Sequence, residues 1–195
     1  MSESTVTLPD ATLRLSRGRA ITSGLLVLGA SIVIALAAQI AISVPFSPVP
    51  LTLQPVAVLL VGIALGSQRG AAAAALYLLE GASGLPVFAQ AHGGAIWLAG
   101  PTAGYLLSYP AAAWVSGWFS EKGVRSSSVR AFFGMLTALA VIYVGGWSWL
   151  SILTNPRFAY QAGVKYFLVA DIVKIALGAL LLPAARRLVA RLSAR

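Results

Sequence analysis

Long apolar runs constrain the fold of this chain more than any other feature of its sequence. Six of them follow one another, at residues 20–44, 54–65, 70–79, 101–119, 131–153 and 164–182. Only 10% of the 195 residues are charged, whereas globular domains carry roughly 25%. A helix needs about 20 apolar residues to cross the hydrocarbon core of a bilayer. The sequence therefore predicts an all-α, polytopic membrane protein with six transmembrane helices.

The polar, basic ends of the chain set its predicted domain boundaries. Residues 1–19 form a cytoplasmic basic N-terminal segment, and residues 20–195 form a single six-helix membrane domain with a short basic C-terminal end. The first apolar run is too long for the core of a cleavable signal peptide. The chain has no cysteine and one histidine, which excludes disulfides and multi-histidine zinc sites. We expect neither a metal nor a cofactor.

Lys and Arg are distributed unevenly between the two sides of the predicted membrane domain. One side receives Arg14, Arg17, Arg19, Arg69, Lys122, Arg125, Arg130, Arg186, Arg187, Arg191 and Arg195. The other side receives Arg157 and Lys165. Because cytoplasmic loops carry the excess of Lys and Arg, both termini are predicted to be cytoplasmic in a bacterial inner (plasma) membrane. The net charge of +9 then reflects topology in a lipid bilayer, and we expect no nucleic-acid partner.

The second and third apolar runs are short, and they flank a turn at residues 66–70. They form either a re-entrant hairpin or two spans. A hairpin would move Arg69 toward mid-membrane at a cost of roughly 2.5–3.5 kcal/mol, so we favour two spans. Apolar loops at residues 44–53 and 85–100 would then complete them on the outer side. Since non-helical backbone at membrane depth occurs where it lines a cavity, an outward-facing binding cavity is predicted.

Asp171 and Lys174 form the strongest local signal for a binding site. They lie three residues apart inside the sixth apolar run, a spacing that puts both on one helix face. Ionisable residues within a span are costly and by default functional. An amide-rich ligand could use Asp171 as acceptor and Lys174 as donor. The alternatives are a structural ion pair that braces the bundle and a lysine that snorkels toward the interface.

Several other residues allow two interpretations. His92 in the second loop is either a ligand contact or a surface residue, and Gln54 either caps the second helix or faces the cavity. The small-xxx-small pairs Ser31/Ala35 and Ala37/Ala41 serve internal packing or a partner-binding face. Six Trp and Tyr residues are, taken singly, more typical of interfacial anchors than of ligand contacts. They are Trp97, Tyr105, Tyr109, Tyr143, Trp147 and Trp149.

An enzyme is a poor fit to this sequence. Residues 81–84 match the GxSG pattern of intramembrane serine proteases, but the only histidine follows within the next loop, beyond Pro86. The serine of such a protease needs a His base on another helix. The chain also has no phosphate-binding Gly loop with a Lys. The residues therefore favour neither an intramembrane protease nor an ATPase.

The motifs together resemble one family. Residues 45–55, Pro-Phe-Ser-Pro-Val-Pro-Leu-Thr-Leu-Gln-Pro, resemble the "PVP-x-TLQ" first loop of the BioY family. Residues 84–89, 92–94 and 100–105 resemble its "GLPVF…GG…GPTGGY" loop, and residues 171–174 match its "D-x-x-K" motif. The resemblance covers about residues 20–190. BioY proteins are the biotin-binding S components of energy-coupling factor (ECF) transporters.

The resemblance implies a six-helix domain that captures biotin near its outer face. Asp171 and Lys174 would address the ureido ring, and the motif positions of His92, Gln54, Tyr105 and Gly93 would lie at the pocket. Relatives often carry Asn where this chain has His92. An Arg that often follows the motif tyrosine is replaced by Leu106, so the partner of the biotin carboxylate stays open.

The resemblance also implies partners. An ECF transmembrane coupling subunit would dock on small residues of the first helix, which we assign to Ala37 and Ala41, and two ATPase subunits would supply energy. The alternative is a stand-alone biotin transporter that works without ATPase subunits and could form a homo-oligomer.

Overall fold

Six long helices dominate the protein. The computed structural model describes residues 9–122 and 128–193. Its α-helices are α1 (Pro9–Gln39), α2 (Gln54–Leu65), α3 (Ser67–Ala82), α4 (Ala103–Glu121), α5 (Ser128–Leu153), α6 (Pro156–Tyr160) and α7 (Phe167–Ser193). A π-helical turn, Gln161–Lys165, follows the short α6, and 3-10 turns form at Ala89–Ala91 and Ala95–Leu98. The predicted number of long helices agrees with this architecture.

The first loop contains a small sheet that the all-α prediction omits. Strand β1 (Ala41–Ile42) pairs antiparallel with β2 (Leu51–Thr52), and Ala41 lies opposite Thr52. The residues between the strands include three prolines, at 45, 48 and 50. Proline has no N–H and disfavours helical geometry in the residue before it, so the chain turns back here and returns to the bundle.

Helix α1 differs from the predicted first span at its C-terminal end. The helix begins at Pro9, but the part of it that is long and apolar enough to cross a bilayer begins at Ala20, where the span was predicted to begin. It ends at Gln39, before the proline-rich loop. Ala37 and Ala41 consequently do not share a helix face, because Ala41 belongs to β1. The small-xxx-small geometry that we assigned to this pair is wrong, and a docking role for these residues stays a prediction.

Only some of the helices have the length and composition of a membrane span. Among the described residues, Ala20–Gln39 and Ala131–Leu153 are long and apolar enough to cross a bilayer. Helix α2 is apolar but has 12 residues, which corresponds to a rise of about 18 Å. The prediction that the second helix is short is thus confirmed. The first loop leads into the N-terminal end of this helix.

Helix α4 packs against α2, α3 and α5. Glycines make these close approaches possible. A Cβ atom on Gly62 of α2 would overlap with the Ala113 carbonyl oxygen of α4, and a Cβ atom on Gly104 of α4 would overlap with Trp149 of α5. The bundle therefore brings the N-terminal end of α4 directly against α5, beside the loops that enclose the cavity.

The turn between α2 and α3 lies next to the other end of α4. Gly66 connects the two helices with a φ of +85°, a backbone conformation that favours glycine. The Glu121 carboxylate at the end of α4 accepts hydrogen bonds from the Ser67 N–H at 2.7 Å and the Ser67 hydroxyl at 2.9 Å. This contact satisfies an N–H of the first turn of α3, which has no partner within the helix.

Candidate functional site

A cavity of about 200 Å³ lies where the two Gly- and Pro-rich loops meet the helix ends. Its polar and aromatic lining comes from both loops, from the start of α2 and from one face each of α4, α5 and α7. The lining includes Thr52, Gln54, Phe88, Gln90, His92, Trp97, Tyr105, Tyr109, Tyr143 and Asp171. Asp171 is the only carboxylate among the lining residues. The predicted convergence of the two loops on a cavity therefore agrees with the structure.

Asp171 is 5% exposed and anchors the polar part of this cavity. One carboxylate oxygen lies 2.6 Å from Lys174 Nζ, and the other accepts a hydrogen bond of 2.7 Å from the Tyr143 hydroxyl. A buried carboxylate is stable only when paired and hydrogen-bonded. Each oxygen has one such partner, and an ionised carboxylate can accept further hydrogen bonds.

Lys174 does not line the cavity, although the sequence predicts it as a ligand contact. Its ammonium group donates to Asp171 and, at 2.7 Å, to the backbone carbonyl of Thr52. Lys174 thus lies behind Asp171 and connects α7 to strand β2. The ion-pair alternative considered from the sequence describes this geometry, because the lysine neutralises a carboxylate that itself faces the cavity.

Gln54 faces the cavity rather than capping α2. It is 4% exposed and makes no capping hydrogen bond with its side chain. Its amide nitrogen donates to the Tyr77 hydroxyl at 2.5 Å, and its amide oxygen accepts from the Thr52 hydroxyl at 3.3 Å. The Nε2 group carries two hydrogens, so one donor remains for a molecule in the cavity.

Tyr105 contributes an aromatic wall. Its hydroxyl donates to the Gly163 carbonyl at 2.8 Å, within the π-helical turn. Gly146 and Gly163 make room for it, since a Cβ atom on either would overlap with the Tyr105 side chain. The phenol hydroxyl is therefore occupied by the protein, and Tyr105 offers mainly its ring to the cavity.

The loop that carries His92 has an unusual backbone. Gln90 and Ala91 adopt φ values of 61° and 58°, a left-handed conformation that non-glycine residues rarely adopt. His92 Nδ1 lies 2.8 Å from the Ala89 carbonyl oxygen, and its ring stacks on Trp97 with centroids 3.9 Å apart. Because the carbonyl is an acceptor, Nδ1 carries a proton, and Nε2 is left to interact with a molecule in the cavity.

Gly93 is predicted to contact ligand, but it is not among the cavity-lining residues. A Cβ atom at this position would overlap with the Leu85 carbonyl oxygen. Its observed role is to let two backbone segments of the second loop pack closely. In this way Gly93 supports the orientation of its neighbour, His92.

Gln39 was not identified from the sequence, yet it holds this loop in place from the end of α1. Its Nε2 group donates to the Phe88 carbonyl at 3.1 Å, and its Oε1 atom accepts from the Ala91 N–H at 2.9 Å. It therefore bonds on both sides of Gln90. A lone amide side chain close to the end of a long apolar run is the signal that could have revealed it.

Four of the six aromatic residues that, taken singly, we interpreted as interfacial anchors line the cavity. They are Trp97, Tyr105, Tyr109 and Tyr143. Tyr105 and Tyr109 are four residues apart on α4, a spacing that places them on the same helix face. Trp147 and Trp149, by contrast, are not among the lining residues, and their indole N–H groups donate to the Pro156 and Gly100 carbonyls.

The outer surface of the bundle indicates the class of protein. Large apolar side chains face outward on several helices, and Leu36, Ile152 and Val169 are 64%, 78% and 68% exposed. Soluble monomers rarely expose large amounts of apolar surface. Together with the polar-ended cavity, this surface defines an α-helical membrane protein that has room for a small molecule.

Comparison with known proteins identifies the family. The BioY family model matches residues 10–191, so the chain belongs to the BioY family. It is 41% identical to the "Probable biotin transporter BioY" of Pyrococcus horikoshii over 69% of this chain and 79% of that relative. It is 36% identical to the "Biotin transporter BioY" of Rhizobium etli over 78% of this chain and 86% of the relative.

A third relative and a solved structure agree with this assignment. The "Biotin transporter BioY" of Thermotoga maritima is 39% identical over 72% of this chain and 82% of that protein. The crystal structure of an "S-component for biotin from an ECF-type ABC transporter" superposes with a TM-score of 0.79, at 22% identity, over 87% of this chain and 93% of the other. The likeness to that structure establishes the fold.

Proposed function

We propose that this protein captures biotin at the outer face of a bacterial inner membrane as the substrate-specific subunit of an uptake system. The observation that carries the proposal is the buried Asp171 carboxylate facing an otherwise uncharged, aromatic cavity. Relatives over most of the chain are named biotin transporters. Capture and release of a vitamin need no covalent chemistry, so the role is transport rather than catalysis.

The chemistry of biotin matches the distribution of groups in the cavity. Its ureido ring has two N–H donors and one carbonyl acceptor, for which Asp171 and the Gln54 amide are complementary. The aromatic and apolar lining suits the thioether ring and the aliphatic chain. The carboxylate would lie toward the second loop, where His92 and the backbone amides around it are available.

Lys174 takes a supporting role in this proposal. It pairs with Asp171 and holds Thr52, so the carboxylate is oriented without a direct lysine–ligand contact. The same arrangement keeps the first loop next to the pocket. Lys174 therefore acts on biotin through Asp171.

The proposed topology has six spans, with α1 to α5 and α7 crossing the membrane and both termini in the cytoplasm. The end of the bundle that carries the cavity would receive Arg157 and Lys165, whereas the remaining loops and termini are richer in Lys and Arg. This asymmetry supports a cavity that faces outward. Biotin would then enter from outside.

Energy would come from partners. The chain has no nucleotide-binding motif, so we propose an ECF transmembrane coupling subunit together with two ATPase subunits. Uptake that persists in cells lacking every coupling subunit, and that resists ATP depletion, would instead support the stand-alone transporter.

Binding of radiolabelled biotin to the detergent-purified chain tests the proposal. We expect saturable binding by the wild type and its loss in the folded variant D171N/K174A. Lys165→Ala serves as the matched control, because Lys165 is exposed at the same end of the bundle and does not line the cavity. Absence of saturable binding by a folded wild type would refute biotin as the ligand.

A further inference from the structure

Tyr109 is a polar residue of the cavity whose hydroxyl group has no hydrogen-bond partner among the residues that the structure describes. It lies on α4, is 3% exposed and lines the cavity. Among the described residues, none is recorded in a hydrogen bond with its hydroxyl group, whereas the hydroxyls of the other two lining tyrosines, Tyr105 and Tyr143, donate to Gly163 and Asp171. Polar groups of largely buried side chains are usually hydrogen-bonded, so this hydroxyl, which borders the cavity, is available to a molecule that fills it.

The position of Tyr109 explains why the missing partner points to a ligand. Its neighbour one turn earlier, Tyr105, and Leu106 line the same wall of the cavity, so this face of α4 is directed at the bound molecule. Asp171 lines the same cavity from α7. A hydroxyl that is buried by protein but borders a cavity can be satisfied by what fills that cavity.

We propose that the Tyr109 hydroxyl donates a hydrogen bond to the ureido carbonyl oxygen of the captured ligand and thereby determines specificity for a cyclic urea. The inference rests on the proposed function and extends it. Asp171 can only accept hydrogen bonds in its ionised form and therefore suits the ureido N–H groups. The carbonyl oxygen between those N–H groups has two lone pairs. The remaining Gln54 N–H can donate to one of them, and the Tyr109 hydroxyl, which no described residue engages, can donate to the other.

A donor of this kind discriminates between ligands. A site built to hydrogen-bond a substrate group rejects analogues that cannot make the bond, because the protein group is then left unpaired. A thiourea analogue has sulfur, a weaker acceptor, in place of the ureido oxygen. The wild type should therefore bind biotin more tightly than 2-thiobiotin, and Tyr109 should account for part of that preference.

The variant Y109F removes the hydroxyl and retains the ring. We expect it to fold as well as the wild type, because no protein hydrogen bond is lost. Its affinity for biotin should fall about 2- to 12-fold, the range for a net hydrogen bond, and the preference for biotin over 2-thiobiotin should shrink by a similar factor. Tyr160→Phe is the matched control, since Tyr160 is 53% exposed and does not line the cavity.

Three results would overturn the inference. If Y109F keeps the wild-type affinity for biotin and the wild-type preference for biotin over 2-thiobiotin, the hydroxyl does not contact the ligand. The proposal that the protein captures biotin is not affected by that result. Equal weakening toward biotin and 2-thiobiotin would assign Tyr109 a role in shaping the cavity only. Absence of biotin binding by the folded wild type would remove the proposed function itself.

Isotope-edited infrared spectroscopy of the wild type keeps the inference testable if Y109F fails to fold. Biotin labelled with ¹³C at the ureido carbonyl should show a carbonyl band at lower frequency when bound than in an apolar solvent. An unshifted band would mean that no donor reaches the carbonyl, and the assignment to Tyr109 would be refuted.

Discussion

The Lys174 ammonium group donates a hydrogen bond of 2.7 Å to the Thr52 carbonyl, and so connects the last helix to the strand that leads into α2. The same nitrogen lies 2.6 Å from Asp171 Oδ1. One side chain thus neutralises the cavity carboxylate and anchors the first loop. Removing the Lys174 side chain should therefore affect both the charge balance of the cavity and the position of the first loop.

The variant Lys174→Met should destabilise the protein more than the double variant D171N/K174M. The single change leaves the Asp171 carboxylate buried without its cation, which costs roughly 3–5 kcal/mol in buried pairs. The double change removes the unpaired charge. Thermal melting in detergent without biotin measures the difference, and an equal or higher Tm for the single variant would contradict the prediction.

Gln39→Leu should accelerate biotin dissociation with little change in Tm. The substitution removes the hydrogen bonds from Gln39 to Phe88 and Ala91, which hold a loop whose left-handed residues each cost of order 1–3 kcal/mol. The loop would then sample open conformations more often. Dissociation of labelled biotin after dilution, together with hydrogen exchange at the Ala91 amide, provides the measurement.

Gln68→Leu is the control for this experiment. Gln68 is exposed and lies in the first turn of α3, at the opposite end of that helix from the second loop, so its substitution should leave the dissociation rate unchanged. A dissociation rate for Gln39→Leu that equals the wild-type rate would mean that the loop keeps its shape without the glutamine.

Gly146→Ala should weaken biotin binding through Tyr105. The added methyl group would overlap with the Tyr105 ring, which must move and lose its hydrogen bond to Gly163. Gly29→Ala is the matched control: a Cβ atom there has no neighbour within 4 Å, and Gly to Ala within a helix stabilises by roughly 0.5–1 kcal/mol. Unchanged affinity in Gly146→Ala would indicate that Tyr105 does not shape the pocket.

Trp97→Phe should remove most of the change in tryptophan fluorescence that biotin causes. Trp97 lines the cavity and stacks on His92, so a bound ligand alters its surroundings directly. Trp114 is 46% exposed on α4 and does not line the cavity, and Trp114→Phe should retain the signal. A signal that survives in Trp97→Phe would place the ligand away from the second loop.

The length and number of the helices were predictable because they depend on local properties. Apolar runs and prolines are visible in the sequence, and they predicted six main helices, of which α2 is short. Position 41 was mispredicted because an apolar run alone does not show where a helix ends. Ala41 lies beyond the end of α1 and pairs with Thr52. Hydrophobic periodicity cannot detect a contact of this kind between two residues of one loop.

The site was only partly predictable for a similar reason. Asp171 stood out because a carboxylate within an apolar run is costly unless it has a function or a charged partner. The importance of Gln39, Tyr109 and Tyr143 could not be seen in the sequence. It depends on parts of the protein that are far away in the chain: Ala91, Asp171 and the other walls of the cavity. Lys174 was identified from the sequence, but the direction of its side chain was not, because the i, i+3 spacing allows either a ligand shared with Asp171 or an ion pair with it.

The sequence by itself determined the membrane class, the helix number and the carboxylate at the centre of the site, because hydropathy and an isolated charge act locally. The tertiary structure alone decided which polar groups face the cavity and which are used by the protein. Hydrogen-bond pairing is the physical reason: Lys174 is occupied by Asp171 and Thr52, and whether a donor is occupied depends on which distant residues the fold brings within about 3 Å of it.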